Sequence, residues 1–234
     1  WKETKHLWPV VAPETGRVEI LNNVVFNNSV QNKVTHFADN FDTAQLDLNW
    51  NFRRYPIEDV YKINKEENRL NLFCHPNQIK ERGRAALLGF KQTESDFEYL
   101  TQMYFQPKSS DSEAGISLFQ KDDNYINFTI IKKGDKHQLQ VYAIKNGEIL
   151  ELIKDELRQY KGNIKFKVSA DKDVYKLYYS LKGLDFKLFA SLEGSYLKSN
   201  GYTGAHLGLY ATGNGKNNQD FASFDYVNYL IKKK

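Results

Sequence analysis

Two alternating runs near the C-terminus restrict the fold more than any other part of this sequence. Ala205, Leu207 and Leu209 alternate with His206, Gly208 and Tyr210. That period of two gives a β-strand two unlike faces. After a polar loop of Gly, Asn and Lys, Phe224, Tyr226 and Asn228 alternate with Asp225, Val227 and Tyr229. This reads as a closing strand, so the end of the chain is expected to be tied into a sheet.

The same pattern recurs from Phe37 onward. Phe97, Tyr99, Thr101, Met103 and Phe105 hold one parity, and Ile126, Phe128 and Ile130 alternate with Asn127 and Thr129. Ile164, Phe166 and Val168 alternate with Lys165, Lys167 and Ser169, one buried face against one wet face. Gly134-Asp135 turns the chain, and Asn146-Gly147 is the strongest hairpin signal, because a type I′ turn needs positive φ at both central residues. Only Leu150 to Tyr160 reads as helical. About a dozen short strands with few helices between them predict an all-β, antiparallel two-sheet β-sandwich, and a curved jelly roll suits the length. No fixed-period repeat marks a propeller within this chain.

Residues 1–36 differ from the rest. Trp8-Pro9-Val10-Val11-Ala12-Pro13 is apolar and twice interrupted by proline, so it is expected to be extended. Residues 1–36 are therefore assigned to an N-terminal arm or connector, and 37–231 to the sandwich. Hydrophobic residues at 41% and aromatics at 14% of 234 are enough for a packed core. The net charge of +4, from 33 basic and 29 acidic side chains, is too mixed to point to nucleic acid. No apolar run reaches the ~20 residues of a membrane span. Cys74 is alone, so no intrachain disulfide forms; it shares a parity with Leu70 and Leu72 and reads as a small core residue. The chain starts at Trp1, consistent with removal of an upstream signal peptide or domain.

Several residue groups together carry a resemblance. They are Asp39-Asn40-Phe41 with Leu48-Asn49-Trp50-Asn51-Phe52-Arg53, then Glu113-Ala114-Gly115-Ile116 with Asn124-Tyr125. Tyr202-Thr203-Gly204-Ala205-His206-Leu207-Gly208-Leu209-Tyr210 and Phe224-Asp225-Tyr226 complete the set. In this order and spacing the chain resembles the C-terminal β-sandwich module that follows the propeller in glycoside hydrolase family 43 β-xylosidases and α-arabinofuranosidases. Trp8-Pro9-Val10-Val11 is similar to the segment that leaves the propeller. The resemblance implies a concanavalin-like jelly roll that is not itself catalytic and packs beside an N-terminal propeller catalytic domain. It also implies a plant-polysaccharide context of xylan or arabinoxylan type and an exported bacterial protein. One departure stands out: many members carry paired Arg before Gln, whereas here Gly89-Phe90-Lys91-Gln92 occurs. The interface role of that pair is not carried over.

Three sets of residues are candidates for chemistry. For contact with an oligosaccharide or polysaccharide, His206, Tyr210 and Tyr202 share one parity with Gly208 leaving room between them, and Trp50 and Arg53 add an aromatic plate and a cation. For a structural Ca2+ of the kind related sandwiches hold, Asp225 resembles the last-strand ligand and Asp39 or Asp42 would lie across from it. The rival reading is a free-standing retaining glycosidase. Laminarinase-type glucanases share the jelly roll and use a Glu-x-Asp-x-Glu strand, which Glu94, Asp96 and Glu98 match in spacing, though they come at the start of a strand beside Thr93. Glycine-rich phosphate loops, zinc-ligand spacings and a Gly-x-Ser-x-Gly elbow are absent.

Overall fold

The computed structural model describes residues 2–3, 9–10, 36–54, 58–198 and 204–232. The chain divides into two compact units, Trp1–Val34 and Thr35–Lys234. In the first, β1 (Lys2–Glu3) pairs antiparallel with β2 (Pro9–Val10). Of the remainder of the expected arm, His36 belongs to the first sandwich strand and the rest lies outside the described residues.

The second unit runs β3 (His36–Asp39), β4 (Asn51–Phe52), β5 (Tyr61–Asn64), β6 (Arg69–Phe73), β7 (Ala86–Lys91), β8 (Phe97–Tyr104) and β9 (Glu113–Lys121). It continues with β10 (Asn124–Lys133), β11 (Lys136–Lys145), β12 (Glu148–Glu156), β13 (Asn163–Asp171), β14 (Val174–Ser180), β15 (Lys187–Glu193), β16 (His206–Thr212) and β17 (Phe221–Ile231). The strands form two antiparallel sheets, the concanavalin-like sandwich. One has the order β12-β11-β10-β9-β16-β7-β4, and the other β15-β14-β13-β8-β17-β6-β5 with β3 also paired to β17. β16 and β17, the two alternating C-terminal runs, lie inside their sheets and not at an edge.

Alternation places one face of each strand in a single core. Ile116, Leu118, Ile126, Phe128, Leu207 and Leu209 come from the seven-stranded sheet, and Leu70, Leu72, Met103, Phe166, Val168 and Leu177 from the other. All are fully buried. At roughly 1.5–3 kcal/mol per buried large aliphatic or aromatic side chain, this layer is the main stabilising term. Cys74 belongs to it, and burial, with Asp220 and Glu113 nearby, pushes its thiol up to about 12. It is inert at neutral pH.

Two expectations need correction. Leu150 to Tyr160 is not helical: β12 occupies Glu148–Glu156 and pairs with β11. Asn146 at φ 54° and Gly147 at φ 84° make the tight turn that brings it back, and the ladder of hydrogen bonds outweighs local helix propensity. The parity of β17 also changes midway. The register shifts between Phe224 and Tyr226, so Asp225 is an inserted bulge residue. Beyond it Val227 and Tyr229 turn to the core, while Tyr226 is only half-buried. Among the described residues no helix is long and apolar enough to cross a membrane.

Candidate functional site

The outer face of the seven-stranded sheet carries an open hollow of about 370 Å³. Its floor is backbone. Gly208 on β16 stands in register with Gly89 on β7, so neither strand raises a side chain there. A Cβ on Gly89 would sit 3.3 Å from the Leu207 carbonyl oxygen, and one on Gly208 would sit 3.0 Å from the Leu88 carbonyl oxygen. The floor is braced from the core side, where the buried Tyr99 hydroxyl donates to the Gly208 carbonyl at 3.4 Å. Phe119, in register with His206, supplies an aromatic wall, whereas the Phe52 ring turns to the core beside Tyr61.

One wall is electrostatic. Arg53 follows β4, and its side chain is 3% exposed. Its Nε donates to Asp122 Oδ1 at 3.0 Å, its Nη1 donates to the Gly83 carbonyl at 2.9 Å, and its guanidinium lies 6.0 Å from the Phe119 ring centre. Arg54 Nη2 donates to the other carboxylate oxygen of Asp122 at 3.1 Å. One carboxylate at the tip of the β9–β10 hairpin thus holds two guanidinium groups beside the hollow. Arg54 sits at φ 73°, in the left-handed region that bulky residues rarely adopt.

His206 opens β16 and lines the same hollow. Burial is the main cause that lowers its pKa; the Gly204 carbonyl acts in the other direction, and the Lys91 ammonium lowers it further. Its imidazole is therefore neutral at pH 7. The Nδ1 atom is buried and has no hydrogen-bond partner. Neutral imidazole, guanidinium and aromatic surface around an open floor are the polar and apolar elements that contact with a sugar ring requires.

Of the residues expected to meet a sugar, His206 and Arg53 come together here. Tyr202 lies outside the described residues. Tyr210 shares the outer face but is 1% exposed, covered by Ile79 and packed with Leu87, Tyr125 and Ile144. Burial, reinforced by Glu113, raises its hydroxyl pKa well above the usual tyrosine value. Trp50 is a core residue, not a sugar plate. Phe37, Phe41 and Phe90 surround it at 5.4, 6.0 and 5.5 Å, and its Nε1 donates to Asp39 Oδ2 at 2.7 Å. Sequence reasoning missed Gly89, Phe119, Asp122 and Arg54. An isolated glycine inside the β7 pattern was the one available signal, since glycine weakens a strand unless a close approach or open space requires it.

The three spaced acids do not form the expected strand face. β8 begins at Phe97, so only Glu98 lies on it. The Glu94 amide donates to the Tyr229 hydroxyl at 3.2 Å. Asp96 Oδ1 accepts the Lys172 amide at 3.1 Å. Glu94 lines a separate hollow with Lys172 and Lys198, whose lining includes neither Asp96 nor Glu98.

Two of the three carboxylates expected for Ca2+ are engaged elsewhere. Asp39 accepts the Phe41 amide on Oδ1 at 2.8 Å and the Trp50 indole on Oδ2. Asp225 faces Arg69 Nε at 3.5 Å, and Asp42 is exposed. Among the described residues no three His, Cys, Asp or Glu side chains are grouped to hold a metal. As placed, these residues do not fit an oxygen-rich cation cage.

The model of the beta xylosidase C-terminal concanavalin A-like domain matches residues 38–230. A xylosidase/arabinosidase of Butyrivibrio fibrisolvens is 25% identical over 224 residues, covering 94% of this chain and 43% of that protein. A non-reducing end alpha-L-arabinofuranosidase of Bacteroides ovatus is 22% identical over 195 residues, covering 82% of this chain and 36% of that protein. The solved structure of Bacteroides ovatus xyloglucan PUL GH43B superposes with a TM-score of 0.77 at 20% identity, over 83% of this chain and 39% of that one. The chain therefore spans less than half the length of these relatives.

Proposed function

This chain belongs to the family of beta xylosidase C-terminal concanavalin A-like domains, and from that premise we propose that it is a non-catalytic, carbohydrate-associated module of a glycoside hydrolase. The substrate class of the whole protein is plant polysaccharide of xylan or arabinoxylan type. The module contributes sugar contact through the hollow floored by Gly89 and Gly208. The observation that carries this reading is the hollow's lining: an open backbone floor, the Phe119 ring, and the His206 and Arg53 side chains.

The same lining argues against hydrolysis at this place. Glycoside cleavage needs two carboxyl groups about 5–10 Å apart across the scissile bond. Asp122 is the single carboxylate in the lining, and it is bound to two arginines. The rival glycosidase reading, through Glu94 and Glu98, finds little support in the separate hollow that Glu94 lines without Glu98.

A docking role accompanies sugar contact. The relatives are more than twice as long as the stretch matched here, and the module packs beside a propeller catalytic domain in an exported bacterial protein.

The test is titration of the chain with xylo- and arabino-oligosaccharides, followed by amide resonances and by reducing-sugar release. Expected are shifts centred on Gly89, Phe119 and His206, weakened in His206→Ala and lost in Gly89→Leu, with no sugar released. Sugar release abolished in Glu98→Gln would replace this reading with the glycosidase. No shifts with any oligosaccharide would leave docking as the module's role.

A further inference from the structure

We propose that the sugar taken by this hollow carries a carboxylate: a uronic-acid-bearing oligosaccharide, with its neutral ring on the glycine floor and its acid group toward a basic annex. The inference rests on the sugar-contact reading above and names the ligand class of the same site.

The annex is a second hollow, of about 530 Å³, which shares Lys121 and Asp122 with the first and is further lined by Lys80, Arg82, Asp123 and Gly147. Across the two hollows the charged side chains are Arg53, Arg54, Lys80, Arg82 and Lys121 against Asp122 and Asp123. That excess of three positive charges compares with a net charge of +4 for the whole chain. The two adjoining hollows thus form a locally basic patch.

The internal pairing leaves part of it uncompensated. Asp122 is shared by Arg53 and Arg54, and Lys121 pairs with Asp123 at 3.1 Å. Lys80 and Arg82 are exposed and have no carboxylate partner among the described residues. A guanidinium fork matches a carboxylate in plane and takes it bidentately.

Shape and charge pattern together favour a sugar acid over other anions. The larger part of the first hollow is apolar wall and bare backbone, which suits a pyranose face and offers nothing to a small inorganic anion. Asp122 and Asp123 stand among the cations and repel a dense polyphosphate such as nucleic acid. A single carboxylate on a neutral ring satisfies both halves.

The experiment compares three probes on the full chain: a xylo-oligosaccharide bearing one glucuronic acid, the same compound with its carboxyl group reduced to the alcohol, and inorganic phosphate. Expected at low salt is binding of the acid about fivefold tighter than of its reduced counterpart, the upper end for one exposed ion pair. The advantage shrinks to about twofold at 0.5 M salt, where charges are screened within a few ångströms. Lys80→Ala/Arg82→Ala brings the acid down to the affinity of the reduced form. Equal affinity of acid and reduced forms overturns this inference and leaves the sugar reading intact. Binding of neither overturns both. Phosphate displacing the acid sugar at equal concentration marks a general anion site and overturns the sugar-acid assignment.

Discussion

Removing the Asp122 carboxylate separates a buried ion pair from an exposed one at a single residue. Arg53 is 3% exposed and Arg54 is 42% exposed, and both bind Asp122. In Asp122→Ala, Arg53 keeps only the Gly83 carbonyl as a hydrogen-bond acceptor among the described residues. Breaking a fully buried pair from one side costs about 3–5 kcal/mol, because a charge stays behind without compensation. Asp122 itself is 34% exposed, so water offsets part of the loss, and about 2–3 kcal/mol is expected here. Arg54→Ala removes the exposed partner and costs under about 1 kcal/mol.

Urea denaturation at pH 7, followed by tryptophan fluorescence, measures both variants, with Trp50 in the core as reporter. Salt supplies a second axis. At 0.5 M NaCl the small Arg54→Ala cost vanishes, whereas the Asp122→Ala cost persists, since buried charges are little screened. Asp122→Asn keeps one acceptor oxygen and falls between the two. Equal costs for Asp122→Ala and Arg54→Ala would refute the assignment of Arg53 as a charge whose burial depends on this carboxylate.

Three further outcomes are expected. Burial is the leading cause that lowers the pKa of His75, His137 and His206, and Arg84, Lys132 and Lys91 respectively lower each further. A depressed histidine contributes stability that is present above about pH 6.5 and lost as pH falls through the folded values; the melting temperature should therefore drop between pH 7 and 5, and His137→Gln should flatten that slope, whereas a flat profile in the parent chain contradicts it. Gly115→Ala places Cβ 2.3 Å from the Phe128 carbonyl oxygen, within the β9–β10 ladder, while Gly89→Ala meets nothing closer than 3.3 Å; thermal unfolding should show a loss of about 3 kcal/mol or more for the first and under about 1 kcal/mol for the second. Because Asp39, Asp42 and Asp225 do not gather, millimolar Ca2+ or a chelator should leave the melting temperature unchanged, and a calcium-dependent rise would show a cage built from other oxygens.

The sandwich was legible because alternation is enforced by burial: Ile164, Phe166 and Val168 read as one face in sequence and are fully buried in the fold. The site was half legible. His206, Gly208 and Arg53 were visible as polar or small residues breaking an apolar pattern. Gly89 and Asp122 were not, because their roles depend on which strand lies beside β16 and where a hairpin tip arrives, and register is a long-range property. Asp225 hid a second shift, since a bulge changes parity without any distinctive residue type. Trp50 misled because an indole with a buried hydrogen-bond partner and one free for a ligand look identical in sequence.

The outer face of the seven-stranded sheet has two halves, and the contrast between them explains why a hollow exists at all. In one half Glu113 is buried, and its carboxylate accepts the Thr129 hydroxyl at 2.8 Å, the Tyr142 hydroxyl at 2.9 Å and the Asn214 amide at 3.1 Å. A buried carboxylate is tolerable only with such donors around it, and the segment carrying Ile79 closes over Tyr125, Tyr210 and Ile144 beside it. That half is sealed by its own polar network. In the other half the Gly89–Gly208 pair raises no side chain to fill the space, and the charge there stands at one side, in buried Arg53 and the partly exposed Arg54 and Asp122. Tyr210 and His206 share a strand and a parity, yet one is sealed and the other faces the opening, because the covering segment reaches only the first. Shortening that segment so that Ile79 is lost should therefore expose Tyr210 and destabilise the fold without widening the hollow at Gly89, and a gain in sugar affinity on its removal would contradict this division of the face.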